Sequence, residues 1–402
     1  MAATLSVDLA DVLAAMRDFI DGEVIPAEPV LRAMTLDSLV EMERLKAEAK
    51  RRGLWALGHP RDIGGGGLSF MDVTYLNEII GRSLFGQNAV GTWSMQDSIM
   101  LRKYATDEQK QKWLFPLVAG EIRSSIGMTE PEVPGSDPTM MQATAVLDGD
   151  EWVINAHKWF TTGANIAAFT TVFARTESDE AGPYKRFSAI VVPTDSPGYE
   201  IVRVLPTMGG ILGAHCEIRL TDVRVPRENL LGERGQGFVM SQDRLGPGRI
   251  FHCMRWLGQM QRAFELMCAR ANERAVRGIP LSQNGQIKLF IAESAADIFS
   301  HRTATLAAAE AVDRGGEGRV EISLVKFRGA QLLHNVIDRA VQVHGALGVT
   351  SDTPLEWMYR EARYARIYDG PDEVHRDRVA RLLAKDIGAA PWSARSVAAS
   401  LC

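Results

Sequence analysis

The chain has 402 residues, 46% of them hydrophobic, enough to build two or three domains around large cores. Its 45 basic and 50 acidic side chains leave a formal net charge of -5, which excludes a global positive field for holding nucleic acid or an anionic membrane. The cysteines Cys216, Cys253, Cys268 and Cys402 form no C-x-x-C pair and the histidines form no H-E-x-x-H, so no metal centre is expected and a reduced, cytoplasmic compartment fits.

The opening MAATLSVDLADVLAAM lacks the basic flank and long apolar run of a signal peptide and is not Arg-rich like a transit peptide, so the chain is read as mature. No stretch reaches the roughly 20 apolar residues that a membrane-spanning helix needs. Helical spacing dominates the first part, with Leu9, Leu13, Met16 and Ile20 on one stripe and Leu36, Leu39, Met42 and Leu45 on another. Thr106 and Gln109 form a capping-box pattern that opens a helix carrying Trp113 and Leu117.

From about residue 123 the period changes. Short strands are expected at Ala143 to Leu147, Trp152 to Asn155, Thr170 to Arg175, Ser188 to Val192 and Cys216 to Leu220, with Asp148-Gly149 as a hairpin turn. After Gly237 helical spacing returns near 238–275, 285–313, 320–345 and 372–385. Helices, then strands, then longer helices describe a segregated α+β fold, mainly α, rather than alternating βαβ units. The expected domains are 1–122, 123–235 and 236–402. Gly232, Gly235 and Gly237 read G-x-x-G-x-G, the wrong order for a dinucleotide fingerprint, and are taken as a turn.

Four segments resemble the acyl-CoA dehydrogenase family in its own order and spacing: MTEPEVPGSD at 128–137, HKWFTTGA at 157–164, the stretch 208–237, and QVHGALG at 342 through IYDGPDEVHR at 367–376. DRLGPGRIFHCMR at 243–255 and the Asp-Gly-Pro-Asp-Glu at 369–373 are most similar to the branch of family members 10 and 11. The resemblance implies an N-terminal helical domain, a central β-barrel-like domain and a C-terminal four-helix bundle, which matches the period changes. It also implies FAD as cofactor, an acyl-CoA substrate, an electron-transferring flavoprotein as acceptor, and a homo-oligomer, either dimer or tetramer. An acyl-CoA oxidase or related flavin enzyme of the same fold is the nearer alternative, and a DNA-binding relative without catalysis the more distant one.

In that family a carboxylate takes the α proton of the thioester while the β hydrogen leaves as hydride to flavin N5. A free carboxylate is too weak a base for such a carbon acid, so the site must stabilise developing charge on the thioester oxygen and exclude water. Asp369 stands where many members carry glutamate and is taken first as the base, with Asp243 as the alternative. Two carboxylates in one pocket would raise at least one pKa. By resemblance Arg244, Ser136 and Gly370 meet the substrate, and the Asp369 N–H helps hold the thioester oxygen. The implied flavin contacts are Met128, Thr129, Ser136, Phe160, Thr161 and Thr162, with Arg274, Gln342, Gly345 and Ala346 at the pyrophosphate and Pro371 and Glu373 in the loop beyond. His215 and the GPGR at 246–249 have no role at this level.

Overall fold

The computed structural model of the chain describes residues 9–209 and 214–385, with the backbone alone at 245–247. The chain divides into two compact units at Gly248 and Arg249, inside the Gly237–Glu273 helix.

The first unit opens with the helices Leu9–Phe19, Ile25–Arg32, Leu36–Arg51, Phe70–Ile80 and Met95–Tyr104. Met16, Ile20, Met42 and Leu45 are fully buried, as the stripes require. Leu36 is not: it is 80% exposed, because it is the first residue of its helix, one turn before the stripe meets the core. The Thr106 capping box forms as read. Gln109 N donates to Thr106 Oγ1 at 3.2 Å and Thr106 N donates to Gln109 Oε1 at 2.9 Å. The Gln109 amide also donates to the carbonyls of Glu228 (2.7 Å) and Leu230 (2.9 Å), so this cap ties the helical part to the sheet.

The sheet comprises β1 (Ser124–Gly127), β2 (Thr144–Asp148), β3 (Glu151–Thr162), β4 (Phe169–Arg175), β5 (Phe187–Pro193), β6 (Tyr199–Val204), β7 (His215–Pro226) and β8 (Leu230–Leu231). Its order is β6-β7-β3-β2-β4-β5-β8, with β1 parallel to β4. The Asp148-Gly149 turn closes the β2–β3 hairpin, where Asp148 pairs with Glu151. Alternation along the strands feeds two cores. One gathers Trp152, Ile154, Val172, Ile190 and Ile218; the other joins Phe169, Phe173 and Phe187 to Trp113 and Leu117 of the helical part.

The second unit packs the Gly285–Asp313, Arg319–His344, Leu355–Tyr364 and Asp372–Lys385 helices with the remainder of Gly237–Glu273. The Leu355–Tyr364 helix is the one the periodicity did not isolate. Two long helices, Gly285–Asp313 and Arg319–His344, come close at Gly329, where a Cβ would lie 2.2 Å from Cε1 of the buried His301. Among the described residues no helix is long and apolar enough to cross a membrane.

Gly329→Ala is therefore expected to lower stability by about 1–3 kcal/mol through overpacking, read by urea denaturation. Combining it with His301→Ala should cost less than the sum of the two single changes, since the clash partner is then gone. Simple additivity would contradict the close approach.

Candidate functional site

In the first unit the expected flavin residues gather around the end of β3. A register shift against β7 between Lys158 and Thr161 inserts an extra residue. Phe160 takes a left-handed φ of 49° there, and its ring turns outward, 44% exposed. It meets Trp159 edge-on at 5.2 Å and the His215 ring at 5.5 Å. Thr162 pairs with His215 across the ladder, and Thr162 Oγ1 lies 2.8 Å from His215 Nδ1. Burial holds the His215 pKa below its ordinary value, so the bond is made by a neutral imidazole. Thr161 faces inward and is fully buried.

The loop after β1 is fastened to β3 from below. Lys158 and Glu130 are buried together, with Nζ 2.8 Å from Oε1. Nζ also donates to the carbonyls of Met128 (3.0 Å) and Phe173 (2.8 Å). Glu130 accepts the backbone N–H of Gln142 (2.6 Å) and of Ala143 (2.9 Å). The Trp159 N–H donates to the Thr129 carbonyl at 3.0 Å. Met128 and Thr129 are thus held by bonds that leave little freedom, whereas Ser136, further along, is exposed. Burial pushes the Lys158 pKa down, opposed by the charge of Glu130.

Asp243 and Arg244 also belong to this unit, and both are engaged. Asp243 Oδ2 accepts from Lys103 Nζ and from Tyr104 Oη, each at 2.5 Å. Burial would raise its pKa, but these two donors outweigh it and the net shift is downward, opposite to that of a carboxylate facing another carboxylate. Arg244 Nε donates to Asp97 Oδ1 at 2.7 Å, and Asp97 is held in turn by Ser124 Oγ at 2.5 Å.

In the second unit Asp369 and Gly370 form a left-handed corner, with φ of 53° and 98°. The corner is gripped through its carbonyls. Arg249 Nε (3.0 Å) and His375 Nε2 (3.1 Å) donate to the Asp369 carbonyl, and Lys326 Nζ (3.0 Å) donates to that of Gly370. Lys326 is fully buried, also donates to the Ala365 carbonyl at 2.7 Å, and lies over the rings of Trp256 and Tyr368. Burial lowers its pKa to about 8, partly opposed by the charge of Asp369. Burial together with the charges of Arg249 and Lys326 pushes His375 down to about 4; it is neutral and donates through Nε2. A Cβ on Gly370 would come within 2.9 Å of that nitrogen. The Asp369 carboxylate, 17% exposed, has Oδ2 3.2 Å from His252 Nε2.

Arg274 ends the Gly237–Glu273 helix and is exposed. Gln342, Gly345 and Ala346 are exposed at the end of the Arg319–His344 helix. The charges of Arg270 and Glu273 act on His344, so these two helix ends lie near each other. The Pro371 carbonyl accepts the N–H groups of Val374 and His375 in the first turn of the last helix, and exposed Glu373 pairs with Arg376 at 3.5 Å. The residues that organise both places, Glu130 and Lys158 in one, Arg249, His252, Lys326 and His375 in the other, were not assigned roles from the sequence. Only the quoted segments that contain most of them gave a signal, and Lys326 gave none.

Models of the acyl-CoA dehydrogenase N-terminal, middle and C-terminal domains match residues 7–121, 125–223 and 235–384. The chain belongs to the acyl-CoA dehydrogenase family. It is 41% identical to the Probable acyl-CoA dehydrogenase FadE2 of Mycobacterium tuberculosis, over 85% of this chain and 84% of that one. It is 38% identical to acyl-CoA dehydrogenase family member 10 of Mus musculus over 92% of this chain, but spans only 36% of that longer protein. A solved chain assigned to the acyl-CoA dehydrogenases of Mycobacterium abscessus superimposes with a TM-score of 0.89 at 39% identity, covering 94% of this chain and 99% of that one. As a member of this family the protein is an FAD-dependent oxidoreductase.

The residues present fit a flavin. Phe160 offers an exposed aromatic face, Thr162 a half-buried hydroxyl, and Trp159 a buried indole N–H without a hydrogen-bond partner among the described residues. Flat apolar surface with a few fixed polar groups suits a planar ring system. Because its support is a buried ion pair, Lys158→Ala is expected to destabilise the protein by about 3–5 kcal/mol, leaving Glu130 charged and unpaired in the interior. Thermal melting and retention of flavin absorbance should fall together. A fully stable, fully yellow Lys158→Ala protein would contradict this support role.

Proposed function

We propose that the protein removes the α and β hydrogens of an acyl-CoA thioester, with Asp369 as the base. The observation that carries this reading is the contrast between the two candidate carboxylates. Asp243 is held by a lysine and a tyrosine that hold its pKa down, whereas the Asp369-Gly370 corner is fixed through its backbone carbonyls, which accept from Arg249 and Lys326. A carboxylate held in place is what proton abstraction from carbon needs.

The Asp369 side chain is one methylene shorter than the glutamate usual in the family, so its backbone must be placed accurately; the grip on its carbonyl supplies that. The Asp369 N–H is assigned to the thioester oxygen, where negative charge develops. FAD, when bound, supplies the acceptor of the β hydride. Met128, Thr129, Thr161 and Thr162 are assigned to the flavin edge and Phe160 to its face. Ser136 is assigned to the pyrophosphate and the substrate, and Arg244 to positioning near the acyl-CoA through Asp97. Arg274, Gln342, Gly345 and Ala346 form an exposed polar set suited to the phosphates of FAD on a second copy of the chain, so a homodimer or homotetramer is proposed, with Pro371 and Glu373 in the adjoining loop. An electron-transferring flavoprotein is the proposed acceptor, and the free thiols of Cys216, Cys253 and Cys268 support a cytoplasmic setting.

The test is anaerobic titration of the FAD-loaded protein with a panel of acyl-CoAs, followed at the flavin band. Wild type should bleach with one acyl-CoA class, Asp369→Asn should lose at least about a hundredfold in rate, and Asp243→Asn should stay within about tenfold. Bleaching lost in Asp243→Asn and kept in Asp369→Asn would move the base to Asp243. Rapid peroxide formation in air would replace dehydrogenation by oxidase chemistry.

A further inference from the structure

We infer that an open cleft in the first unit is a binding site for a small organic carboxylate, which enters by taking the place of the Glu43 side chain between Lys46 and Arg123. The cleft has a volume of about 560 Å³ and is bounded by three stretches of chain. These are the 43–50 face of the Leu36–Arg51 helix, the turn 120–123 that leads into β1, and 166–168 between β3 and β4. All of them belong to one compact unit, and none of their lining residues is among those assigned to flavin, substrate or base. The spacing of Glu43, Lys46 and Lys50 puts them on one side of their helix. The Ala168 N–H donates to the Arg123 carbonyl at 2.8 Å, which pins the third stretch to the second.

Three cations, Lys46, Lys50 and Arg123, and two carboxylates, Glu43 and Glu121, line the cleft. Lys46 is buried, and one oxygen serves two of the cations: Glu43 Oε1 accepts from Lys46 Nζ at 2.7 Å and from Arg123 Nη2 at 3.5 Å. An ammonium carries three N–H groups and a guanidinium five, so among the described residues most of these donors have no protein acceptor. Lys50 is engaged otherwise, donating to the Ala119 carbonyl at 2.7 Å and lying over the Trp55 ring. Burial holds the Lys46 and Arg123 pKa values below their ordinary range, and the charge of Glu43 opposes it without prevailing. The two cations are thus short of negative charge. Glu43, by contrast, has a side chain 61% exposed, so it can swing into water and be solvated there. Its position shows that a carboxylate fits between the two cations. A ligand carboxylate would add a second oxygen for Arg123, whose planar fork pairs with both at once. Ile122, Ile166 and Ala167 supply an apolar wall for a short hydrocarbon body, and the volume lies in the range of small-molecule sites.

The experiment is calorimetric titration of the FAD-loaded protein with hexanoate, with hexanamide as its uncharged counterpart and with inorganic phosphate, for wild type, Glu43→Gln and Arg123→Gln. Wild type should bind hexanoate and not hexanamide. Glu43→Gln removes the internal competitor and should tighten hexanoate by about threefold to tenfold, the range expected of losing one exposed ion pair. Arg123→Gln should weaken it by at least about tenfold, since a charge-assisted hydrogen bond is lost. The sign of the Glu43→Gln effect is the decisive readout, because a carboxylate with a merely structural role would not improve binding when neutralised. Should Arg123→Gln fail to fold or to hold FAD, Glu43→Gln, altered at an exposed side chain, decides by itself. Absence of binding heat in both wild type and Glu43→Gln, or hexanoate affinity unchanged by Glu43→Gln, would overturn the inference. Hexanamide bound as tightly as hexanoate, or phosphate bound more tightly, would overturn the assignment to an organic carboxylate.

Discussion

A buried ammonium is costly unless its N–H groups find acceptors, and each unit of this protein holds a buried lysine that meets that cost with backbone carbonyls. Lys158 and Lys326 are each fully buried. Each donates to two backbone carbonyls, Lys158 to those of Met128 and Phe173 beside its ion pair with Glu130, Lys326 to those of Ala365 and Gly370. Moving either loop would strand a charge in the interior, so the loops stay where the lysines hold them. A left-handed non-glycine residue costs on the order of 1–3 kcal/mol, and both Phe160 and Asp369 take that conformation. The lysines supply the constraint under which such strain persists.

The same physics separates the two aspartates. Where cations bind the carboxylate itself, as Lys103 does at Asp243, they stabilise its charged form and weaken it as a base. Where cations bind the backbone, as Arg249 and Lys326 do at the carbonyls of Asp369 and Gly370, they fix its position. Chemical identity is equal at the two positions, and environment distinguishes them. His375 is neutral and donates to the Asp369 carbonyl.

Much of this was legible in the sequence. The long helices fell within a residue or two of the periodic segments, because a helix of 26 to 37 residues repeats its pattern often enough to be read. The capping box at Thr106 and the Asp148-Gly149 turn were equally plain, since each is local chemistry. Strands β1, β6 and β8 were missed: β8 has only two residues, and β6 is an edge strand with little buried along it, so no alternation marks them. Asp369 and Phe160 were singled out through motifs. Lys158, Glu130 and Lys326 were not assigned because a lone lysine or glutamate in a sequence reads as surface, and nothing local says that a carbonyl tens of residues away will claim it. Arg249 is the instructive case. It sat in a segment noted as distinctive, yet its partner is the Asp369 carbonyl, 120 residues further on.

The most direct measurement is a crystal structure of the FAD-loaded protein with an unreactive ether analogue of an acyl-CoA, which shows the α-carbon position without turnover. An Asp369 carboxylate oxygen within hydrogen-bonding reach of the α position, with Arg249 and Lys326 still on the carbonyls of Asp369 and Gly370, is the predicted result. A ligand whose α position meets Asp243 instead, or a corner released from its cations and turned away from the thioester, would contradict it.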